Sequence, residues 1–70
     1  MAEYKIRAYK LQPEMIMVYD NPRYNKVIID VQHGNRDGEI KVYSNYSGDD
    51  SEPGVDFFYE DDLITIKWSK

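Results

Sequence analysis

Apolar and polar residues alternate along the chain with a period of two, in short runs broken by Gly, Pro, Asn and Asp. No window of about eleven residues follows the 3.6-residue period of an amphipathic helix. The pattern therefore predicts strands joined by turns from end to end.

In the first run, Glu3 to Leu11, Tyr4, Ile6 and Ala8 share one face and Lys5 and Arg7 the other. Tyr9 and Leu11 break that phase, and a bulge near Ala8-Tyr9 would restore it. Pro13 cannot donate to a ladder, so Gln12-Pro13-Glu14 reads as a turn or strand boundary. Met15 to Tyr19 is apolar at every position. It fits either a strand covered on both faces or an edge strand with a sticky outer face, and its two methionines make it adaptable. Asp20-Asn21-Pro22-Arg23 then reads as a turn.

The central hairpin is the clearest element. Val27, Ile29 and Val31 are expected to face inward, with Ile28, Asp30 and Gln32 on the other side. Gly34-Asn35-Arg36-Asp37-Gly38 supplies the left-handed conformations that a hairpin loop needs. The return strand sets Ile40 and Val42 inward and Lys41 and Tyr43 outward, and can run on through Tyr46. Ser44 to Gly54 is otherwise poor in apolar residues and reads as an exposed loop. Val55, Phe57 and Tyr59 open the next strand, with Asp56 and Phe58 on its other side. Glu60-Asp61-Asp62 forms an acidic turn before the last strand, where Ile64, Ile66 and Trp68 alternate with Thr65 and Lys67.

These elements predict an all-β protein. The expected architecture is a single small antiparallel meander of five to six strands, curled into a barrel or half-barrel, in one domain over residues 1–70. Closure matters because an apolar edge invites pairing with another chain. With 70 residues and no cysteine, the chain buries only about 60–65% of its unfolded surface, and no disulfide compensates. A thin core or self-association follows.

The net charge of -4 is uneven. Residues 1–41 carry seven basic and six acidic groups, whereas residues 42–70 carry two basic and seven acidic ones. A general nucleic-acid binder needs a basic field, and the C-terminal half has the opposite sign. No apolar run approaches the ~20 residues of a membrane-spanning helix. Met1-Ala2-Glu3 does not begin a basic-then-apolar leader. With no cysteine to place in an oxidising compartment, a cytoplasmic location is the expectation. The sequon Asn45-Tyr46-Ser47 matters only in a secreted eukaryotic protein.

The residues that carry chemistry are few. His33 is the sole histidine, with Asp30 and Asp37 nearby, and a His–Asp pair is a general-base constellation. On a regular strand, however, residues 30 and 33 face opposite sides, and no nucleophile accompanies them. Asp49 to Gly54 lacks the ligand spacing of an EF-hand loop. No cofactor, no metal and no enzymatic activity are implied.

The seven tyrosines are the unusual feature. Tyr4, Tyr46 and Tyr59 fit the inward phase. Tyr9, Tyr19, Tyr24, Tyr43 and Phe58 are the candidates for an outward aromatic surface, since tyrosine offers rigid contact area and a hydroxyl at low entropic cost. Asp49, Asp50, Glu52, Glu60, Asp61 and Asp62 make a candidate acidic patch for a basic partner. The expected role is a non-catalytic protein–protein interaction module, an inhibitor or adaptor, whose partner is another protein or a second copy of itself. Two alternatives use the same residues: a small barrel binding single-stranded nucleic acid through basic and aromatic side chains, or an acidic mimic of nucleic acid that occupies a basic protein.

Overall fold

The computed structural model describes residues 3–46 and 51–68. Six strands follow in chain order: β1 (Tyr4–Arg7), β2 (Met15–Met17), β3 (Lys26–His33), β4 (Glu39–Tyr46), β5 (Gly54–Tyr59) and β6 (Leu63–Trp68). They form one antiparallel sheet in the order β1-β6-β2-β3-β4-β5. The stretch from β2 to β5 is a four-strand meander, and β6 returns to lie between β1 and β2.

That return forces the sheet to curl. β5 and β6 lie four places apart in the sheet, which is about 19 Å if it were flat. Only residues 60–62 join them, and so short a link spans roughly 14 Å at most. The sheet closes the difference by bending into a half-barrel. The bend is held at the β5–β6 turn, where Ala8 N–H donates to Asp62 O at 2.8 Å and Tyr9 N–H to Glu60 O at 3.2 Å.

The donors of these bonds belong to a 3₁₀ turn over Ala8–Lys10. It stands where a bulge was expected, and it solves the same problem of phase: β1 stops at Arg7, and the turn brings both Ala8 and Leu11 into the core. The real bulge is in β3, at Ile29. Ile28 pairs with Ser44 and Asp30 with Tyr43, so Ile29 is the extra residue. Ile28 is 1% exposed and Ile29 47%. The expected inward set Val27, Ile29, Val31 is thus corrected to Ile28 and Val31, because one inserted residue shifts the phase mid-strand.

The core comprises Ala8, Leu11, Met15, Met17, Ile28, Ile40, Val42 and Ile66, with Ile6, Val31, Phe58 and Ile64 packed against it. β2 lies between β6 and β3, so Met15 and Met17 are buried and the edge-strand alternative for this segment falls away. The Gly34–Gly38 loop closes as expected. Gly34 N–H donates to Glu39 O at 2.8 Å, and Gly38 takes a φ of 76°, which glycine adopts without strain.

On β5 the expected faces are reversed. Phe58 lies opposite Ile40 and packs on the core, while Val55, Phe57 and Tyr59 point outward. Apolar residues occupy both phases of this strand, so alternation alone does not decide; register against the buried face of β4 does. The aspartate this brings to the concave side, Asp56, is met there by Lys26.

Candidate functional site

β5 ends the sheet order; the Ala8–Lys10 turn packs against it, and no further strand pairs with its outer side among the described residues. Glu60 N–H donates to Gly38 O at 2.8 Å, which fixes Gly38 and Glu60 as a hydrogen-bonded pair. In an antiparallel ladder such pairs alternate with non-bonded ones. The Ile40–Phe58 and Val42–Asp56 pairs therefore bond, and the backbone groups of Val55, Phe57 and Tyr59 point away from β4. Tyr59 is capped locally: its N–H donates to Asp62 Oδ2 at 2.9 Å, and Asp62 N–H donates to its carbonyl at 2.9 Å. Val55 and Phe57 face no strand on that side among the described residues.

The same three residues present their side chains to solvent. Val55 is 42% exposed, Phe57 51% and Tyr59 53%. Tyr43, directly opposite Val55, extends the row onto β4, and the Lys41 ammonium lies 5.0 Å from the centroid of its ring. Exposed Ile29 lies beyond it at the bulge. The convex side thus carries an apolar and aromatic stripe running from the bulge to the open edge.

A second aromatic group lies at one end of the half-barrel. Tyr19, Tyr24 and Tyr46 line a recess of about 590 Å³ together with Asp20, Asn21, Lys26 and Asp56. Local bonds hold its wall. Asn21 Oδ1 accepts from Arg23 N–H at 3.0 Å, and Asn21 O accepts from Tyr24 N–H at 2.9 Å. Asn25, itself buried, accepts Tyr19 N–H on Oδ1 at 2.9 Å. Across the recess, Lys26 Nζ stands 3.4 Å from Asp56 Oδ2 and 5.5 Å from the Tyr46 ring centroid. Burial raises the Tyr19 pKa; nearby Lys26 opposes the shift, and Asp56 and Tyr46 add to it.

Of the five candidate aromatics, Tyr19 and Tyr24 meet in the recess, Tyr43 lies on the convex stripe, and exposed Tyr9 stands apart on the Ala8–Lys10 turn with Lys10 5.8 Å from its ring. Phe58 turns inward, for the reason of register already given. Tyr4 and Tyr46, placed inward by phase, are substantially exposed because they lie at an edge or an open end of the sheet, and Tyr59, also placed inward, is exposed because the register of β5 turns it outward. The acidic candidates fall on two stretches of the chain, on either side of β5. Asp49 and Asp50 lie outside the described residues. Glu52 precedes β5 and Glu60, Asp61 and Asp62 follow it. Asp61 pairs with Arg7 at 3.6 Å, and Asp62 serves the turn.

His33 is exposed at the hairpin mouth, opposite Ile40. Asp30 directs its oxygens elsewhere, accepting from Val31 N–H and Gln32 Nε2, each at 2.9 Å. Among the described residues, no group of three or more His, Asp or Glu side chains is placed to hold a metal ion, and no helix is long and apolar enough to cross a membrane.

Sequence reasoning missed Phe57 and Val55 on the stripe and Lys26 and Asp56 in the recess. Lys26 stands two residues before Ile28 and Asp56 two before Phe58, so the register that turns Ile28 and Phe58 inward also brings these opposite charges to the same side of the two strands flanking β4.

No protein-family model matches the chain, and no curated protein or solved structure matches it at a significant level.

Proposed function

We propose that this protein is a non-catalytic protein-interaction module that binds an extended segment of a protein partner along β5. One coincidence carries the reading: Val55 and Phe57 offer outward apolar side chains and edge-facing backbone groups on the same strand. Strand addition uses both, since main-chain bonds supply affinity and alternate side chains supply selectivity. The neighbouring Tyr43 and Tyr59 rings widen the contact with rigid area. Pro53 before the strand and the Asp62 cap after it limit the open edge to a short stretch. Short edges resist indiscriminate pairing, which favours a partner that also fits the side-chain row.

The test is a selection from a random linear-peptide library, followed by amide hydrogen exchange on the complex. Selected peptides are expected to protect the Val55 and Phe57 amides and to lose at least tenfold in affinity against Phe57→Lys. The Phe57→Lys domain itself should keep its stability within about 0.5 kcal/mol, as surface changes do. Peptides that bind without protecting β5, or that ignore Phe57→Lys, would refute strand addition. Light scattering on the free protein separates the other occupant: a dimer abolished by Phe57→Lys would make the partner a second copy of the chain.

A further inference from the structure

We propose that the recess at the end of the half-barrel is a binding site for an alkylated ammonium group, with Tyr19, Tyr24 and Tyr46 supplying ring faces and Asp20 and Asp56 the counter-charge. It lies on the concave side and does not depend on strand addition at β5.

The recess already accommodates an ammonium. Lys26 Nζ sits 3.4 Å from Asp56 Oδ2 and 5.5 Å from the centroid of Tyr46. A cation is favoured over the face of an aromatic ring within about 6 Å of its centroid. The pair is also partly withdrawn from water, with the Lys26 side chain 24% exposed and that of Asp56 35%.

The charge of the lining favours a further cation. The lining holds two carboxylates and one ammonium. Lys26 pairs with Asp56, whereas Asp20 has no ion-pair partner among the described residues. A second cation therefore finds a free counter-charge, and an anion meets net repulsion. The tyrosine faces point the same way, since the ring quadrupole is negative on its face. Burial raises the Tyr19 pKa, which favours the neutral phenol.

One wall of the recess is held by local hydrogen bonds. Asn21 and Asn25 hold the backbone of the Asp20–Tyr24 wall through the bonds already described, so the main chain that carries Tyr19 and Tyr24 needs little ordering when a ligand arrives. The volume, about 590 Å³, lies within the range of small-ligand sites, roughly 300–1,000 Å³. Alkylation suits such a site. A methylated ammonium is a larger and less hydrated cation than a bare one, and it loses less on leaving water.

Choline is the first probe, followed by NMR of the amides around Tyr19, Tyr24 and Tyr46. Its neutral isostere 3,3-dimethylbutanol and inorganic phosphate serve as controls. Choline is expected to saturate the shifts, with the isostere at least tenfold weaker and phosphate without effect. Tyr24→Ala should lose at least fivefold and Tyr24→Phe should retain binding; Tyr24 is exposed on its turn, so neither threatens the fold. Asp56→Asn should weaken choline. Lys26→Gln should strengthen it several-fold, because the internal competitor and its repulsion are gone. A peptide carrying trimethyllysine separates the sources: tighter binding than choline assigns the site to a protein side chain, and equal binding to a free small molecule. Equal affinity for the neutral isostere, or loss of binding in Lys26→Gln, overturns the proposal. So does the absence of any choline response in a wild-type protein whose amide spectrum is that of the folded state.

Discussion

The amide of Glu14 donates to the carbonyl of Ile28 at 2.9 Å, tying the turn ahead of β2 to the middle of β3. The same turn holds Glu14 at a φ of 77°, with Pro13 before it and Met15 N–H donating to Gln12 O at 3.3 Å. This is the arrangement of a turn with proline at its second position and a left-handed third position, where glycine is preferred. A side chain there costs about 1–2 kcal/mol, part of which a glycine would return through the entropy of its unfolded chain. Glu14→Gly keeps the N–H that reaches Ile28. It should stabilise the domain by about 0.5–1 kcal/mol, read as a higher midpoint in urea. A lower midpoint would show that the Glu14 side chain contributes more than its strained backbone costs.

The strands were legible in the sequence because each carries its own alternation, and the Gly34–Gly38 loop names its own hairpin. What was not legible lies where one residue changes the parity of a strand. Nothing in Val27-Ile28-Ile29 distinguishes a bulge from a regular run, since all three are apolar. Only the pairing of Ile28 with Ser44 and Asp30 with Tyr43 decides it. On β5, Phe57 and Phe58 compete for the core, and Phe58 lies inward because Ile40 is opposite. The candidate site inherited that ambiguity. Tyr19 and Tyr24 were named from composition, but their neighbours Lys26 and Asp56 come from strands that only the fold brings together.

Ser44 is 2% exposed, and its hydroxyl has no hydrogen-bond partner among the described residues. It faces the core opposite Ile28, in the place of an apolar residue. Removing an unsatisfied hydroxyl restores what its burial costs while leaving little void. Ser44→Ala should therefore raise stability by about 1 kcal/mol, which in a domain of this size moves the thermal midpoint by roughly 4–8 °C. A comparable fall in the midpoint would mean that the hydroxyl is bonded in solution.

Tyr19 links stability to alkaline pH. Burial raises its pKa in the folded state above the ordinary tyrosine value, with Lys26 opposing and Asp56 and Tyr46 adding to the shift. Tyrosine is charged when deprotonated, so above the unfolded value, about 10, the unfolded chain loses this proton first. The folded state then binds more protons than the unfolded one, and stability falls as pH rises. The contribution is fully present below pH ~10 and is lost as pH climbs through the folded value. Wild type should lose stability between pH 9 and 11 more steeply than Tyr19→Phe. Parallel curves for the two proteins would remove Tyr19 as the cause.

Asp62 governs how much of the β5 edge stands open. Its Oδ2 accepts the Tyr59 N–H at 2.9 Å, and its own N–H meets the Tyr59 carbonyl. The cap thereby satisfies backbone groups that would otherwise extend the open edge at Val55 and Phe57 by one more residue. Asp62→Ala removes the side-chain acceptor, at a cost of about 1 kcal/mol in an exposed turn. The larger consequence is at the edge: a longer run of free donors beside the apolar side chains of Val55, Phe57 and Tyr59 is a better template for another strand. Asp62→Ala should speed exchange of the Tyr59 amide and raise the apparent mass in light scattering as concentration increases. Adding Phe57→Lys should return the mass to that of the parent, because a charge at the centre of the edge opposes pairing without restoring the cap. If Asp62→Ala exchanges Tyr59 no faster than the parent, the carboxylate does not cap that amide in solution. If it exchanges faster and still keeps the parent's mass, the open edge of β5 does not recruit strands, and binding along it loses its physical basis.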